Sequence, residues 1–480
     1  MTETPTLYEL SVPGRPGISL PDCDVPPTPL PDDLVRADNG LPELSEPEVV
    51  RHYLHLSQRN YGVDGGCYPL GSCTMKYNPK INERLARLPG FAGLHPLQDA
   101  ATAQGALELM HRLQEALKRI GGFAGMTLQP AAGAQGELTA LLTIRAWHAD
   151  RGEPGRDVIL IPDSAHGTNP ASATMAGFVA VEVPSDGRGN VDIAAVRAAC
   201  DERLAGIMLT NPNTLGLFEE RIEEVAALVH AAGGLVYGDG ANMNALTGIA
   251  RPGDLGVDLM HFNLHKTFAT PHGGGGPGSG PVGASAALAP YLPGPVVERG
   301  ADGRYRLEAP AKSIGRMCAF HGNFGMLVRA YAYIAGHGDA GLKANAMAAV
   351  LNANYLRVKL RVRYPVPFDR TCMHEFVCEG RPDGTRARAL DVSKRLMDYG
   401  FHPPTNYFPL IVPEALMVEP TETETLATLD AFVAAMLAIA DEARDRPDLL
   451  HDAPHTTPVR RLDEVRAARE LRVAEPDDAG

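Results

Sequence analysis

Cysteine is scarce in this sequence of 480 residues, and the seven present form no pattern that builds a site. Cys23, Cys67, Cys73, Cys200, Cys318, Cys372 and Cys378 are widely spaced, with no C-x-x-C pair. That excludes a zinc-finger module and a disulfide framework, and points to free thiols in a reducing compartment. Basic charge is short as well: 44 lysines and arginines face 58 acidic residues, a formal net charge of −14. A nucleic-acid surface needs a basic stripe and a membrane surface a polybasic anchor, and neither is there. Long apolar runs are missing too, since none approaches the roughly 18 residues of a membrane helix. Residues 1–30 are proline-rich and acidic, unlike a signal or transit peptide. The expectation is a cytoplasmic protein whose partners are small molecules or other proteins.

What is present fits a soluble globular chain, with 44% hydrophobic and 21% charged residues. The length suggests two or three structural units at roughly 100–200 residues each. Residues 1–95 read as an N-terminal arm followed by a pocket loop, 96–345 as a large α/β domain, and 346–480 as a smaller α/β domain with a charged tail. Within the arm, residues 1–45 are expected to lie extended on a neighbour, anchored by Leu7-Tyr8-Glu9-Leu10; the tail after Arg460 is expected to fray. The loop GVDGGCYPLGSCTMKYNP (62–79) is too rich in glycine for a helix and too long for an ordinary connection. From about residue 103, apolar residues at Leu107, Met110, Leu113 and Leu117 give one helical face, and 138–147 reads as a second helix. Strand-like runs follow at 158–161, 178–183, 206–209, 234–237 and 259–262, with helical stretches near 191–203 and 218–232. Such alternation implies a mostly parallel sheet with helices on its faces. A further amphipathic helix is expected near 425–443.

Open α/β sheets bind ligands beyond the carboxyl ends of their strands. Four features sit at such places. Ala131-Ala132-Gly133-Ala134-Gln135-Gly136-Glu137 opens an apolar helix and would let backbone N–H groups cradle a phosphate, or is a plain turn. Asp163-Ser164-Ala165-His166 follows the run 158–161, where a histidine can lie flat on a planar ring or simply bond within its loop. Asp239 ends an apolar strand and could keep a pyridine nitrogen protonated, bind a metal or cap a helix. Lys266, after a strand and before the glycine tract His272–Gly280, can reach an aldehyde and form a Schiff base; His265 beside it serves packing or chemistry. Taken together, phosphate cradle, histidine, aspartate and lysine occur in the order used by fold-type I pyridoxal-phosphate enzymes.

Longer stretches sharpen that. GCYPLGSCTMKYNP (66–79), QPAAGAQGE (129–137), IPDSAHGTNPASA (161–173), LTNPNTLGLFE (209–219), YGDGANMNA (237–245), FNLHKTFATPHGGGGPGSGPVG (262–283), FHGNFGMLVRAYAYI (320–334), CMHEFV (372–377) and NYFPLIVPEALMVEPTETE (406–424) resemble the C-terminal half of the glycine decarboxylase P-protein family. Asn406 departs from the aliphatic residue expected there. The resemblance implies a fold-type I, aspartate-aminotransferase-like α/β fold and a glycine decarboxylase using pyridoxal 5′-phosphate and no metal. Lys266, Asp239 and His166 would be catalytic. Gly133, Ala134, Gln135, Asn242 and His265 would join them in holding the cofactor, and Thr74, Cys73 and Asn323 are candidates at the pocket; Asn242 and Asn323 could equally be structural, and Cys73 is a redox-sensitive or, in preference, a buried, inert thiol. It further implies a lipoylated H-protein as acceptor and a separate subunit 1 in an α₂β₂ assembly. The competing readings are another fold-type I activity, in which Arg316 or Arg370 would clamp a second carboxylate, and a structural subunit without cofactor.

Overall fold

The computed structural model describes residues 4–36 and 39–471. By its contacts the chain forms two units, one made of the chain up to Gly66 with the segment from Thr456 onward, the other Cys67–His455. This division falls elsewhere than the boundaries at 95/96 and 345/346 expected from the sequence.

The first unit carries little regular structure. Thr6 and Glu9 close a capping box on the short helix Leu7–Leu10, and Ser45 and Glu48 close another on Glu46–Ser57. No described residue before Leu44 is buried, and Ile18, Leu20, Val25, Leu30 and Leu34 are exposed. Of the expected arm, residues 1–3, 37 and 38 lie outside the described residues. In the tail, Glu464–Arg469 is a short helix, and 472–480 lie outside the described residues.

The second unit is built on a seven-stranded sheet. Its strands are β1 (Gly125–Thr127), β2 (Val158–Pro162), β3 (Val179–Val183), β4 (Leu204–Thr210), β5 (Leu235–Asp239), β6 (Leu259–His261) and β7 (Val282–Ala284). They are ordered β1-β7-β6-β5-β4-β2-β3, and only β7 runs antiparallel to its neighbours. The continuous apolar run of β2 has the reason expected of a parallel strand: both faces are covered. Val158 and Leu160 join one core with Ile207, Leu209 and Val236, while Ile159 and Ile161 join another with Met208 and Tyr237. That alternation is the two-residue period of the strand. The edge strand β3 is largely exposed. From β2 the chain passes to β3 on one side and returns to β4 on the other, so the topological switch lies between β2 and β4.

The helices of this unit fall close to expectation at Gln104–Gly121, Gly133–Asp150, Ile193–Ala199, Ile222–Ala231 and Leu426–Asp445. A helix at Phe324–Leu360, broken at Gly338 (φ 59°, ψ −175°), leads from the large sheet's core to that of a second sheet. Ahead of that helix in the chain, Val296–Arg299 (β8) and Tyr305–Glu308 (β9) pair as a two-stranded ribbon against the large sheet's core. The second sheet joins β10 (Phe376–Glu379), β11 (Thr405–Asn406) and β12 (Ala415–Val418), all antiparallel, in the order β10-β12-β11. Asn406 gains a reason here: its Oδ1 accepts a 2.8 Å bond from the Ser393 hydroxyl, tying β11 to the helix Ala389–Asp398.

Candidate active site

A cavity of about 180 Å³ opens at the carboxyl ends of β4, β5 and β6. Gly133, Ala134, His166, Asp239, His265 and Lys266 all line it, so the four features spaced along the sequence converge.

The glycine-rich entry starts the helix Gly133–Asp150 without any side-chain cap, leaving first-turn N–H groups facing the cavity. Close packing demands its glycines: a Cβ on Gly133 would lie 2.3 Å from Asn263 Nδ2, and one on Gly136 2.7 Å from His261 Cβ. Gln135 serves through its backbone only, because its side chain accepts from Ala131 N–H (2.7 Å) and donates to Met317 O (3.0 Å). Asn323 acts from outside, its Nδ2 donating to the carbonyls of Ala131 (3.1 Å) and Gly278 (2.5 Å). It fixes the two glycine-rich segments rather than lining the cavity.

Asp239 ends β5, almost wholly buried. Its Oδ1 accepts from Ala241 N–H (2.9 Å), so the capping reading holds, while Oδ2 accepts from Asn169 Nδ2 (3.1 Å). Burial opposes its charge, but His261 and Lys266 together with these bonds hold the carboxyl below its ordinary range. His261 Nε2 stands 3.6 Å from it. Burial keeps the Tyr237 phenol protonated, so Tyr237 donates to His261 Nδ1 (2.5 Å) and His261 Nε2–H points at Asn263 Oδ1 (2.9 Å) and Asp239.

Two lysines reach this region, and their partners separate them. Lys76 is buried and spent: its Nζ donates to Asn244 Oδ1, Thr267 O and Tyr333 Oη and pairs with Glu422 at 2.7 Å. The Lys266 amine has no hydrogen bond or ion pair among the described residues and lines the cavity. His265 is held neutral, pushed down to about 3 by burial and by His272 and Lys266, and its Nδ1 accepts from Ser279 N–H (3.3 Å). His166 is exposed at the cavity mouth, bonded through Nδ1 to Thr168 (2.9 Å) and edge-on to Phe408 at 5.5 Å.

Other expected residues fall differently. Asn242 is buried off the cavity, its Nδ2 donating to Pro212 O (2.9 Å) and Glu375 (3.2 Å), so it braces the site. Thr74 likewise lies behind the wall, its N–H and hydroxyl bonding Glu419 at 2.8 and 2.5 Å. Ser72, with φ 65°, is the loop residue that reaches the cavity. Burial pushes the Cys73 thiol up to about 11 despite Lys266, which keeps it protonated and unreactive. Arg370 is used up on Asn190, Phe218 O and Glu220, and neither it nor Arg316 lines the cavity.

Sequence reading missed Glu137, His261, Asn263, Thr210 and Thr214 on the cavity wall. Glu137 accepts from Thr168, Asn169 and Ser172, and Asn169 bridges it to Asp239. His261 and Asn263 alternate just before Lys266, a period-two signal that marks both as facing one side. Thr210 Oγ1 is buried without a partner.

These groups fit pyridoxal phosphate: free helix N–H groups for an anion, a buried carboxylate for a pyridine nitrogen, an orphaned hydroxyl and an unpaired amine for an aldehyde. Residues 345–455 match the family model for the glycine dehydrogenase C-terminal domain. The chain is similar to a probable glycine dehydrogenase (decarboxylating) subunit 2 of Caldanaerobacter subterraneus subsp. tengcongensis, 58% identical over 96% of this chain and 97% of the relative. A protein of the same name from Bacillus licheniformis is 56% identical over the same shares. In fold it is similar to a crystal structure of glycine decarboxylase (P-protein) of the glycine cleavage system, with a TM-score of 0.72, 21% identity and coverage of 85% and 93%.

Proposed function

The chain belongs to the glycine dehydrogenase (decarboxylating) subunit 2 family, and from that premise we propose that it releases CO₂ from glycine and passes the aminomethyl group to a lipoyl disulfide on a separate acceptor, the H-protein. One observation carries this reading: an unpaired Lys266 amine shares a cavity with a buried, ionised Asp239 and an uncapped helix N-terminus. Pyridoxal phosphate, when bound, supplies an aldehyde that condenses with amines and a protonated ring that accepts the electron pair released with CO₂.

The chain's residues have the remaining tasks. Lys266, whose amine lines the cavity, would hold the aldehyde end of the cofactor. Asp239 keeps a proton on the ring nitrogen, and its bonds to Ala241 and Asn169 fix the carboxylate for that. First-turn amides at Gly133, Ala134 and Gln135 bind the phosphate. His166, at the cavity mouth, would help hold the cofactor ring, and neutral His265 adds no charge to compete with the phosphate. Glycine has a single carboxylate, so no arginine clamp is required, consistent with Arg316 and Arg370 lying elsewhere.

The family name implies a partner subunit. The assembly proposed is α₂β₂ in the cytoplasm, with the exposed apolar residues of 1–45 covered by a neighbour; no helix among the described residues is long and apolar enough to cross a membrane. The test is exchange of labelled bicarbonate into glycine by this chain with its partner subunit and lipoylated H-protein. Label should enter glycine only when all are present. Exchange without partner or acceptor, or none with cofactor bound, overturns the proposal.

A further inference from the structure

Behind Ser72 and Thr74 lie two glutamates that the proposed reaction leaves unused. Glu375 precedes β10 and Glu419 follows β12, and both are fully buried. An oxygen of each lies, with a ring nitrogen of His374, in a group of atoms within 4.8 Å of one another. Each carboxylate holds the pocket loop. Glu375 accepts from Ser72 N–H (2.7 Å) and Asn242 Nδ2 (3.2 Å), and Glu419 from Thr74 N–H (2.8 Å) and hydroxyl (2.5 Å).

Among the described residues, no Lys or Arg bonds or pairs with either carboxyl. Lys76, the nearby buried lysine, is matched by Glu422. His374 Nε2 is 3.7 Å from Glu419 Oε1, but burial, with Lys266 and Lys76, pushes the ring down to about 3, so it is neutral. Both its nitrogens are buried without partners. Cys73 also faces the pair and remains a thiol. The charge that acts on both carboxyls is that of Lys266. Two carboxylates this close in a dry site cannot both ionise at ordinary cost.

We infer that Glu375 and Glu419 are positioning residues that keep one proton between them and so present Lys266 with a single negative charge beyond that of Asp239. Burial and Glu419 push the Glu375 carboxyl far above the carboxylate range, and burial raises Glu419 to about 7 against the Thr74 bonds and Lys266. Above neutral pH the pair therefore carries one proton and one charge. That charge favours the protonated state of the lysine nitrogen, while the Glu375 carboxyl, accepting from Ser72 N–H, holds Ser72 at the cavity wall.

The inference rests on the proposed cofactor site and not on glycine as substrate. Its test is the pH midpoint of the visible absorbance of the lysine-bound cofactor, in the assembly with its partner subunit. Glu375→Gln or Glu419→Gln alone leaves one ionised carboxylate, so each should change the proton affinity by less than about twofold; the double variant should lower it by about tenfold or more. Single variants that each move the midpoint half as far as the double would mean two separate charges, and an unmoved double variant would mean scaffolding only; either overturns the inference. Should the variants not fold, infrared spectra of the unaltered protein at about pH 8 must show a protonated carboxylic acid, and its absence is equally decisive. Glycine exchange could fail while these signatures stand, which separates this inference from the functional reading.

Discussion

Asp239 shows how much of the site depends on single atoms. Its charge survives burial only through His261, Lys266, Ala241 N–H and Asn169. Asp239→Asn removes the partner of a ring proton at unchanged shape. Glycine decarboxylation should fall by about 10²-fold or more, a loss like that of a buried electrostatic group in other active sites, while cofactor still reaches Lys266. Steady-state rates with a cofactor absorbance spectrum check both halves. Gly136→Ala forces a Cβ to 2.7 Å from His261 Cβ and 3.0 Å from Gly280 O. Overpacking of this kind costs about 1–3 kcal/mol, read as a lowered denaturant midpoint, and it displaces the histidine that supports Asp239. At this scale the lysine, aspartate, histidine and glycine-rich entry were legible because each sits where a strand or helix ends. Glu137, Glu375 and Glu419 were not, although they lie in recognisable stretches, because burial and pairing of an acid are set by tertiary contacts that no local pattern encodes. Asn242 and Thr74 were read as pocket contacts for the converse reason: polar residues beside a site can face either way.

Among elements, the five parallel strands β2–β6 were visible as apolar runs, and the helices between them as periodic faces. The short strands β1 and β7, three residues each and both containing glycine, give no such signal. Nor does the helix Phe324–Leu360, which spans two cores and contacts apolar side chains in both, so no single stripe marks it. A close backbone approach is among the ties between the second sheet and the large sheet's loops. The carbonyl oxygen of Gly216, at φ 76°, accepts from Met373 N–H at 2.7 Å, and a Cβ there would lie 1.9 Å from Glu375 O. Gly216→Ala should therefore destabilise by about 1–3 kcal/mol or more and disturb the carboxyl pair, measured by urea unfolding together with the cofactor spectrum.

For the whole molecule, the raised glutamates make a prediction about pH. Glu419 goes from its ordinary 4.5 to about 7 on folding. A carboxyl raised in this way contributes stability that is fully present below its unfolded value and is lost as pH rises through about 7. Stability should thus decline as pH rises from 4.5 to about 7, and the Glu375→Gln/Glu419→Gln double variant should flatten the slope, as thermal unfolding across that window will show. The depressed Asp239 acts oppositely, and its contribution is lost only as pH falls through its folded value.

Everything proposed for this site turns on Lys266 as the cofactor lysine. Borohydride reduction of the yellow assembly with its partner subunit, followed by digestion and mass mapping, tests it most directly. A single pyridoxyl label on Lys266, with Lys76 unmodified, is the predicted result. A label on Lys76 or another lysine, or a colourless assembly that takes up none, would contradict it.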